Sequence, residues 1–213
     1  MGIRKAEGVI LAIILFSFLV GFYFYPQMPV RMAFHWNTYG EVDGYTSRFL
    51  GSFSLPFILV GVGLLSIAIP RIDPLKANIE EFRKYYDRFM VLLLLFLSSI
   101  HLQVILWNAG VRLGPNVTFP IGLGVIFFYA GILCENARRN WFVGIRTPWT
   151  LSDERVWDKT HKVGGKLFKA AGIAAFLGVF VQRYAVLFVL VPVILIAAYT
   201  TVYSYLEYRK SGR

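Results

Sequence analysis

MVLLLLFLSSIHLQVILWNA, residues 90–109, decides how this chain is read, because it holds no Asp, Glu, Lys or Arg. About 20 apolar residues wound as a helix cross the hydrocarbon core of a bilayer. Working outward, five further apolar runs lie at about 8–25, 50–69, 119–134, 167–181 and 184–206. Inside lipid every backbone N–H and C=O must be satisfied within the protein, which leaves helices or closed barrels. Barrel strands alternate in polarity over about ten residues, and these runs are apolar all round. The expected fold is an all-α integral membrane protein with six transmembrane helices. Two units are expected, residues 1–75 with two helices and residues 76–213 with four.

Composition agrees, with 57% apolar and 16% charged residues. A net charge of +10 would point to nucleic acid in a soluble protein. Here 18 of the 22 Lys and Arg fall in alternate segments: the N-terminus, 70–89, 135–166 with its flanks, and the C-terminus. The positive-inside rule puts those segments, and hence both termini, in the cytoplasm. The surplus charge is read as a topology signal and a contact with anionic membrane lipids, not as direct nucleic-acid binding. The first run follows Arg4 and Lys5 but ends Gly21-Phe22-Tyr23-Phe24-Tyr25-Pro26 without a small-residue cleavage pattern, so it is expected to stay as an anchor. Cys134 is the one cysteine, which excludes an intrachain disulfide or a thiolate metal cluster.

Between the first two spans, Val30, Met32, Phe34 and Trp36 alternate with Arg31, Ala33, His35 and Asn37, the period of a strand. Asp43-Gly44 is a tight-turn signal, so a small extracellular β-hairpin is expected. If it closes, His35, Glu41 and Asp43 converge, for turn chemistry, for recognition of a partner, or for a metal. In 70–89, Pro70 and Pro74 are expected to end the second helix, and Ile79, Phe82, Tyr86 and Phe89 recur at helical spacing. Asn116-Val117-Thr118 is a formal glycosylation sequon.

Residues 135–166 form the largest internal loop. A cytoplasmic amphipathic helix is expected there, capped by Thr150 or Ser152, favoured by Asp153 and Glu154, and ended by Gly164-Gly165. Glu154, Asp158 and His161 share one face of it, open to a carboxylate–histidine site or to ion pairs with neighbouring Arg and Lys. Trp149 and Trp157 suit interfacial anchoring. Arg138, Arg139 and Arg146 suit lipid headgroups, and Arg146 alternatively ties down the backbone before Thr147-Pro148. In the fifth span Ala171, Ala175 and Gly178 permit close helix packing, and Gln182-Arg183 is expected to turn the chain into the sixth. His101 lies midway along its span, either as a proton-sensitive switch or as a neutral ring bonded to a carbonyl or a Tyr hydroxyl. No nucleophile motif occurs, so no catalytic residue, cofactor or metal is assigned.

The stretch Asn140-Trp141-Phe142-Val143-Gly144-Ile145-Arg146-Thr147-Pro148-Trp149-Thr150-Leu151-Ser152, followed by Val156-Trp157, Thr160-His161 and Gly164-Gly165-Lys166-Leu167-Phe168, resembles the SdpI family. Those are membrane immunity proteins against a sporulation-delaying toxin. The outer stretch from Pro29 to Gly44 is similar to the small membrane domain of unknown function that precedes the immunity domain. The resemblance implies a non-enzymatic role in resistance to a secreted peptide toxin, and signalling in which the engaged protein holds a cytosolic transcriptional repressor at the membrane. It implies an inner partner surface from Asn140, Gly144, Arg146, Thr147, Pro148, Trp149, Trp157, Thr160, His161, Gly164 and Gly165. The implied outer surface uses His35, Asn37, Gly40, Glu41, Asp43 and Gly44. Two alternatives remain at this point: a small transporter or channel with His101 and Gln103 lining a polar path, and a metal-dependent membrane enzyme using Glu154, Asp158 and His161 or His35, Glu41 and Asp43.

Overall fold

A computed structural model describes residues 4–210. The order is α1 (Lys5–Phe24), β1 (Arg31–Trp36), β2 (Val42–Ser47), α2 (Arg48–Ile72), α3 (Lys76–Glu81), α4 (Arg83–Asn108), α5 (Pro115–Asn136), α6 (Pro148–Ser152), α7 (Glu154–Gly178) and α8 (Ala185–Lys210). Five helical stretches are long and apolar enough to cross a membrane, the last being Glu154–Lys210. That stretch is broken at Val181 (φ −127°, ψ 58°), where the chain reverses so that α8 packs back along α7. The outer faces carry bare Leu19, Phe22, Leu64 and Ile194, the surface expected of helices solvated by lipid.

Helices α1, α2 and α4 bury Ile10, Ile13, Leu59, Met90 and Leu94 together, and this core runs on to Leu133 of α5 and Trp157 of α7. Polar bonds cross it. The Ser17 and Ser98 hydroxyls are 2.8 Å apart, and the Tyr86 hydroxyl donates to the Ser66 carbonyl at 3.0 Å. Helix α2 runs two residues past Pro70 before it stops at Asp73 ahead of Pro74. The expected stop therefore falls at Pro74 and not at Pro70: the Pro70 ring removes one backbone bond and crowds the turn before it, and the freed Ser66 carbonyl takes the Tyr86 hydroxyl instead, as lipid-embedded helices allow.

The hairpin forms, but Asp43-Gly44 is not its turn. Both residues lie in β2, with Gly44 opposite His35, where a Cβ would stand 2.8 Å from that of His35. The chain turns at 37–41 instead. There the Asn37 side-chain oxygen accepts the N–H groups of Tyr39 (2.9 Å) and Glu41 (3.0 Å), and Gly40 takes φ +80°. Two accepted bonds and a left-handed glycine outweigh the Asp-Gly signal. The apolar face also shifts: Met32 is buried, but Ala33 is buried beside it while Val30 is exposed.

The largest correction concerns Gly164-Gly165. These glycines do not end a separate amphipathic helix, because α7 passes through them without interruption. They are where backbones meet. A Cβ on Gly165 would lie 2.8 Å from the Gly131 carbonyl of α5, and one on Gly172 would lie 2.6 Å from the Gly124 carbonyl. Gly124 and Gly131, like Gly165 and Gly172, are seven residues apart, two turns on one helix face. The pairs match in antiparallel order and let α5 and α7 touch backbone to backbone. Gly164 takes the side chain of Ile145. The helix caps differ accordingly: Thr147 caps α6 and Asp153 caps α7, not Thr150 or Ser152.

Gly131→Ala and Gly172→Ala should force α5 and α7 apart and destabilise the protein by on the order of 1–3 kcal/mol. Gly61→Ala, where an added Cβ meets nothing within 4 Å, should be neutral or slightly stabilising. Thermal unfolding of detergent-purified variants measures the difference, and equal midpoints would refute the role of the glycine contacts.

Candidate functional site

Two polar regions stand apart from the apolar helices: the hairpin, and the hinge at 137–153 that joins α5 to α7. The hinge is built around Asn140, which is fully buried. Its oxygen accepts the N–H groups of Phe142 (2.9 Å) and Val143 (2.6 Å). Its nitrogen donates to the carbonyls of Arg138 (2.8 Å) and Val143 (2.9 Å). All four bonding positions of the amide are used, and the loop so tied carries Trp141 and Phe142 outward. The Trp141 N–H donates to Asp73 at 2.9 Å, and the other Asp73 oxygen accepts the Leu75 N–H at 2.6 Å. The Asn78 amide donates to the Arg139 carbonyl at 2.8 Å. The hinge is thereby fastened to the ends of α2 and α3.

Gly144 has φ +115°, and an added Cβ would strike His161. Its neighbour Ile145 donates its N–H to His161 Nε2 at 2.9 Å. That nitrogen must therefore be the bare acceptor, which puts the ring proton on Nδ1, 2.9 Å from the Trp157 carbonyl. His161 is thus held neutral, with both nitrogens occupied. Its ring stacks on Trp157 (centroids 3.9 Å, 19°), and Trp157 Nε1–H donates to the Ala137 carbonyl at 2.8 Å. Thr147 caps α6 and lies 3.0 Å from the Ser204 hydroxyl of α8. Asp153 caps α7: burial alone would raise its carboxyl pKa, but bonds from the Arg155 and Val156 N–H groups and from the Arg155 side chain hold it below the usual carboxylate range. Arg146 donates to the Trp141 carbonyl at 2.6 Å, tying down irregular backbone.

Most residues that carry the resemblance therefore face inward. Asn140, Thr147, Trp157, Thr160, His161, Gly164 and Gly165 are buried. Anchoring of Trp157 at the membrane surface is overturned, since the ring is wholly enclosed. Trp149 is half-buried against Tyr205, 5.1 Å between rings. Trp141, Phe142, Gly144, Arg146 and Pro148 are exposed. Beside the hinge a cleft of about 390 Å³ opens between α4, α5 and α7, lined in part by Lys84, Tyr85, Arg138, Asp158 and Lys162.

In the hairpin, His35 Nδ1 lies 2.6 Å from Asp43, whereas Glu41 accepts from the Asn37 amide at 3.1 Å. Among the described residues no three His, Cys, Asp or Glu side chains are grouped to hold a metal. His101 is buried, with Nε2 3.0 Å from the Ser52 carbonyl, a bond that makes this nitrogen the donor. Four residues of structural weight were not foreseen: Asp73, Asn108, Ser204 and Glu207. Glu207 is buried between Lys159 (2.7 Å) and Lys210 (2.6 Å). A lone carboxylate at the end of an apolar run was the available signal for it. Asp73, between a helix end and Pro74, was the signal for a chain stop with a free side chain.

Asn140→Ala removes four buried bonds, and Asn140→Asp keeps the two accepted ones but turns a carboxylate oxygen against the Arg138 and Val143 carbonyls. Both should destabilise strongly, each buried group left unpaired costing about 1–3 kcal/mol. His161→Ala, which strands the Ile145 N–H, should cost a similar amount, and Phe142→Ala less than about 0.5 kcal/mol. The same unfolding measurement ranks them; a null effect of Asn140→Ala would contradict the hinge geometry.

Residues 136–204 match the SdpI/YfhL protein family, and residues 12–60 match a domain of unknown function (DUF1648). Immunity protein SdpI of Bacillus subtilis (strain 168) is 25% identical over 207 residues, covering 97% of this chain and 97% of that protein. No solved structure matches. The first segment contains the whole hinge, α6, α7 and α8 as far as Ser204; the second contains the hairpin. The chain is a multi-pass membrane protein with a segment similar to the SdpI/YfhL family behind a segment similar to DUF1648.

Proposed function

We propose that the chain is a membrane immunity protein that works without catalysis, protecting its cell against a secreted antimicrobial peptide. The observation that carries this reading is the end-to-end similarity to a protein named Immunity protein SdpI. In this reading the chain crosses the membrane six times, with α7 and α8 as separate spans. Both termini and the hinge are cytoplasmic, and the hairpin is outside. Support comes from the Lys and Arg distribution and from the placing of hairpin and hinge at opposite ends of the helices. The peptide engages the outer residues His35, Asn37, Gly40, Glu41, Asp43 and Gly44.

A cytosolic repressor is held on the inner side. The contacts there fall to the exposed part of the inner set, Gly144, Arg146, Pro148 and the edge of Trp149, with Trp141 and Phe142 beside them. The buried part, from Asn140 to Gly165, gives that surface its shape. Peptide binding shifts the protein between two states only to the extent that it binds them with different affinity.

Expression in a peptide-sensitive host should raise survival under the sporulation-delaying peptide, and no protection at normal membrane levels would sink the reading. Trp141→Ala with Phe142→Ala should weaken repressor control at least tenfold while leaving resistance within about twofold, since these exposed side chains contribute little to the fold itself. Parallel loss of both outputs would contradict separate inner and outer roles.

A further inference from the structure

The two long edges of the hairpin are treated differently. On β1, the Ala33 N–H donates to the Asn108 side-chain oxygen at 2.8 Å, and the Ala33 carbonyl accepts from the Asn108 amide at 2.9 Å. The Asn108 amide occupies the place of a neighbouring strand's peptide group and closes that edge. Opposed residues in an antiparallel ladder either exchange both bonds or turn both pairs of groups away from each other. Ala33 is paired with Tyr45 and turns its groups away, so the Tyr45 N–H and C=O point off the outer edge of β2.

That edge is open. Asp43, Tyr45 and Ser47 are exposed, with Tyr45 57% so. Among the described residues no hydrogen bond from any element other than β1 reaches the backbone of 43–46. An uncovered strand edge pairs with any extended chain that reaches it, through main-chain bonds, while pockets beside it select side chains. A cleft of about 590 Å³ lies on the hairpin face that Tyr45 shares with Ala33, lined also by Val42, Trp107, Asn108 and Arg112, so it adjoins β2 through Tyr45 and reaches across to the clamped strand. The charge around it is positive on balance. Two carboxylates, Asp43 and Glu41, bonded to His35 and Asn37, stand against three guanidiniums. Among the described residues Arg31, Arg48 and Arg112 have no ion-pair partner and lie only over the rings of Tyr45, Tyr25 and Trp107.

We infer that β2 is the docking edge for an extended, carboxylate-bearing segment of the secreted peptide, which joins the hairpin as a third strand. This rests on the immunity reading and specifies where and how its peptide binds. Main-chain pairing sets the affinity, and Arg31, Arg48 and Arg112 meet the carboxylates.

The test uses the full-length protein in lipid nanodiscs and the sporulation-delaying peptide as probe. Tyr45→Pro deletes the outward N–H without touching a bond of the β1–β2 ladder, a position at which an edge strand tolerates proline. Tyr45→Ala removes the same ring and keeps the N–H. Tyr45→Pro should bind about tenfold more weakly than Tyr45→Ala, the factor expected for one net hydrogen bond. Backbone N-methylation of the peptide, one residue at a time, probes the same pairing with the protein unaltered, and losses should fall on alternate residues. Equal binding by the two variants, or N-methyl tolerance throughout, overturns the docking edge while the immunity reading stands. A self-association abolished by Tyr45→Pro with peptide binding intact assigns the edge to a second copy of the chain and also overturns it. If the unaltered protein neither binds the peptide nor protects a host, the immunity reading falls and the docking edge with it.

Discussion

The structure depends on the contact of two helix backbones. Helices in lipid gain little by hiding apolar side chains from one another, because the lipid tails are equally apolar; they associate through close packing. Helices α5 and α7 reach that closeness at Gly131 against Gly165 and Gly124 against Gly172. An ion pair between Lys169 and Glu135, 2.7 Å, stands beside the first of these contacts. With α5 and α7 antiparallel and touching, the segment between them has to reverse direction within 137–153, and α8 has to fold back along α7. Side-chain bonds from Asn140, His161, Trp157 and Thr147 hold that reversal, which is why these residues are inside.

This division gives the residues that carry the resemblance a physical meaning. Asn140, Gly144, Thr147, Trp157, His161, Gly164 and Gly165 fasten a loop whose outermost residues, Trp141, Phe142, Arg146 and Pro148, are left bare. A tip held by this many bonds at its base presents a surface at little entropic cost. The hairpin has the same economy. Asn108 clamps one strand to α4, Asn37 shapes the turn, and His35 and Asp43 bond to each other. What remains unengaged is the edge of β2.

Much of this was legible in the residues, for reasons that differ by element. The run at 90–109 admits one reading because lipid forbids the others. The Val30–Asn37 alternation announced a strand, and His35 and Asp43 were rightly brought together. The turn was misplaced because Asp-Gly is a local signal, whereas the bonds that decide it come from the side chain of Asn37. Gly164-Gly165 was misread for a related reason: a glycine that ends a helix and one that admits a neighbouring backbone are the same residue until the partner is known. The partner signal, Gly124 and Gly131 at matching spacing, lay on another helix. Trp157 looked like a membrane anchor by type, and only the Ala137 carbonyl, at 2.8 Å, explains why it is enclosed. His101 needed a carbonyl from α2 to be understood, and Ser52 supplies it.

The account stands on hairpin and hinge lying on opposite sides of one membrane. With Cys134→Ser as background, Tyr39→Cys at the exposed hairpin turn and Phe142→Cys at the exposed hinge tip report on the two sides. A membrane-impermeant maleimide applied to intact cells should label Tyr39→Cys at once and Phe142→Cys only after lysis. Labelling of both in intact cells, or of Phe142→Cys alone, would contradict the arrangement.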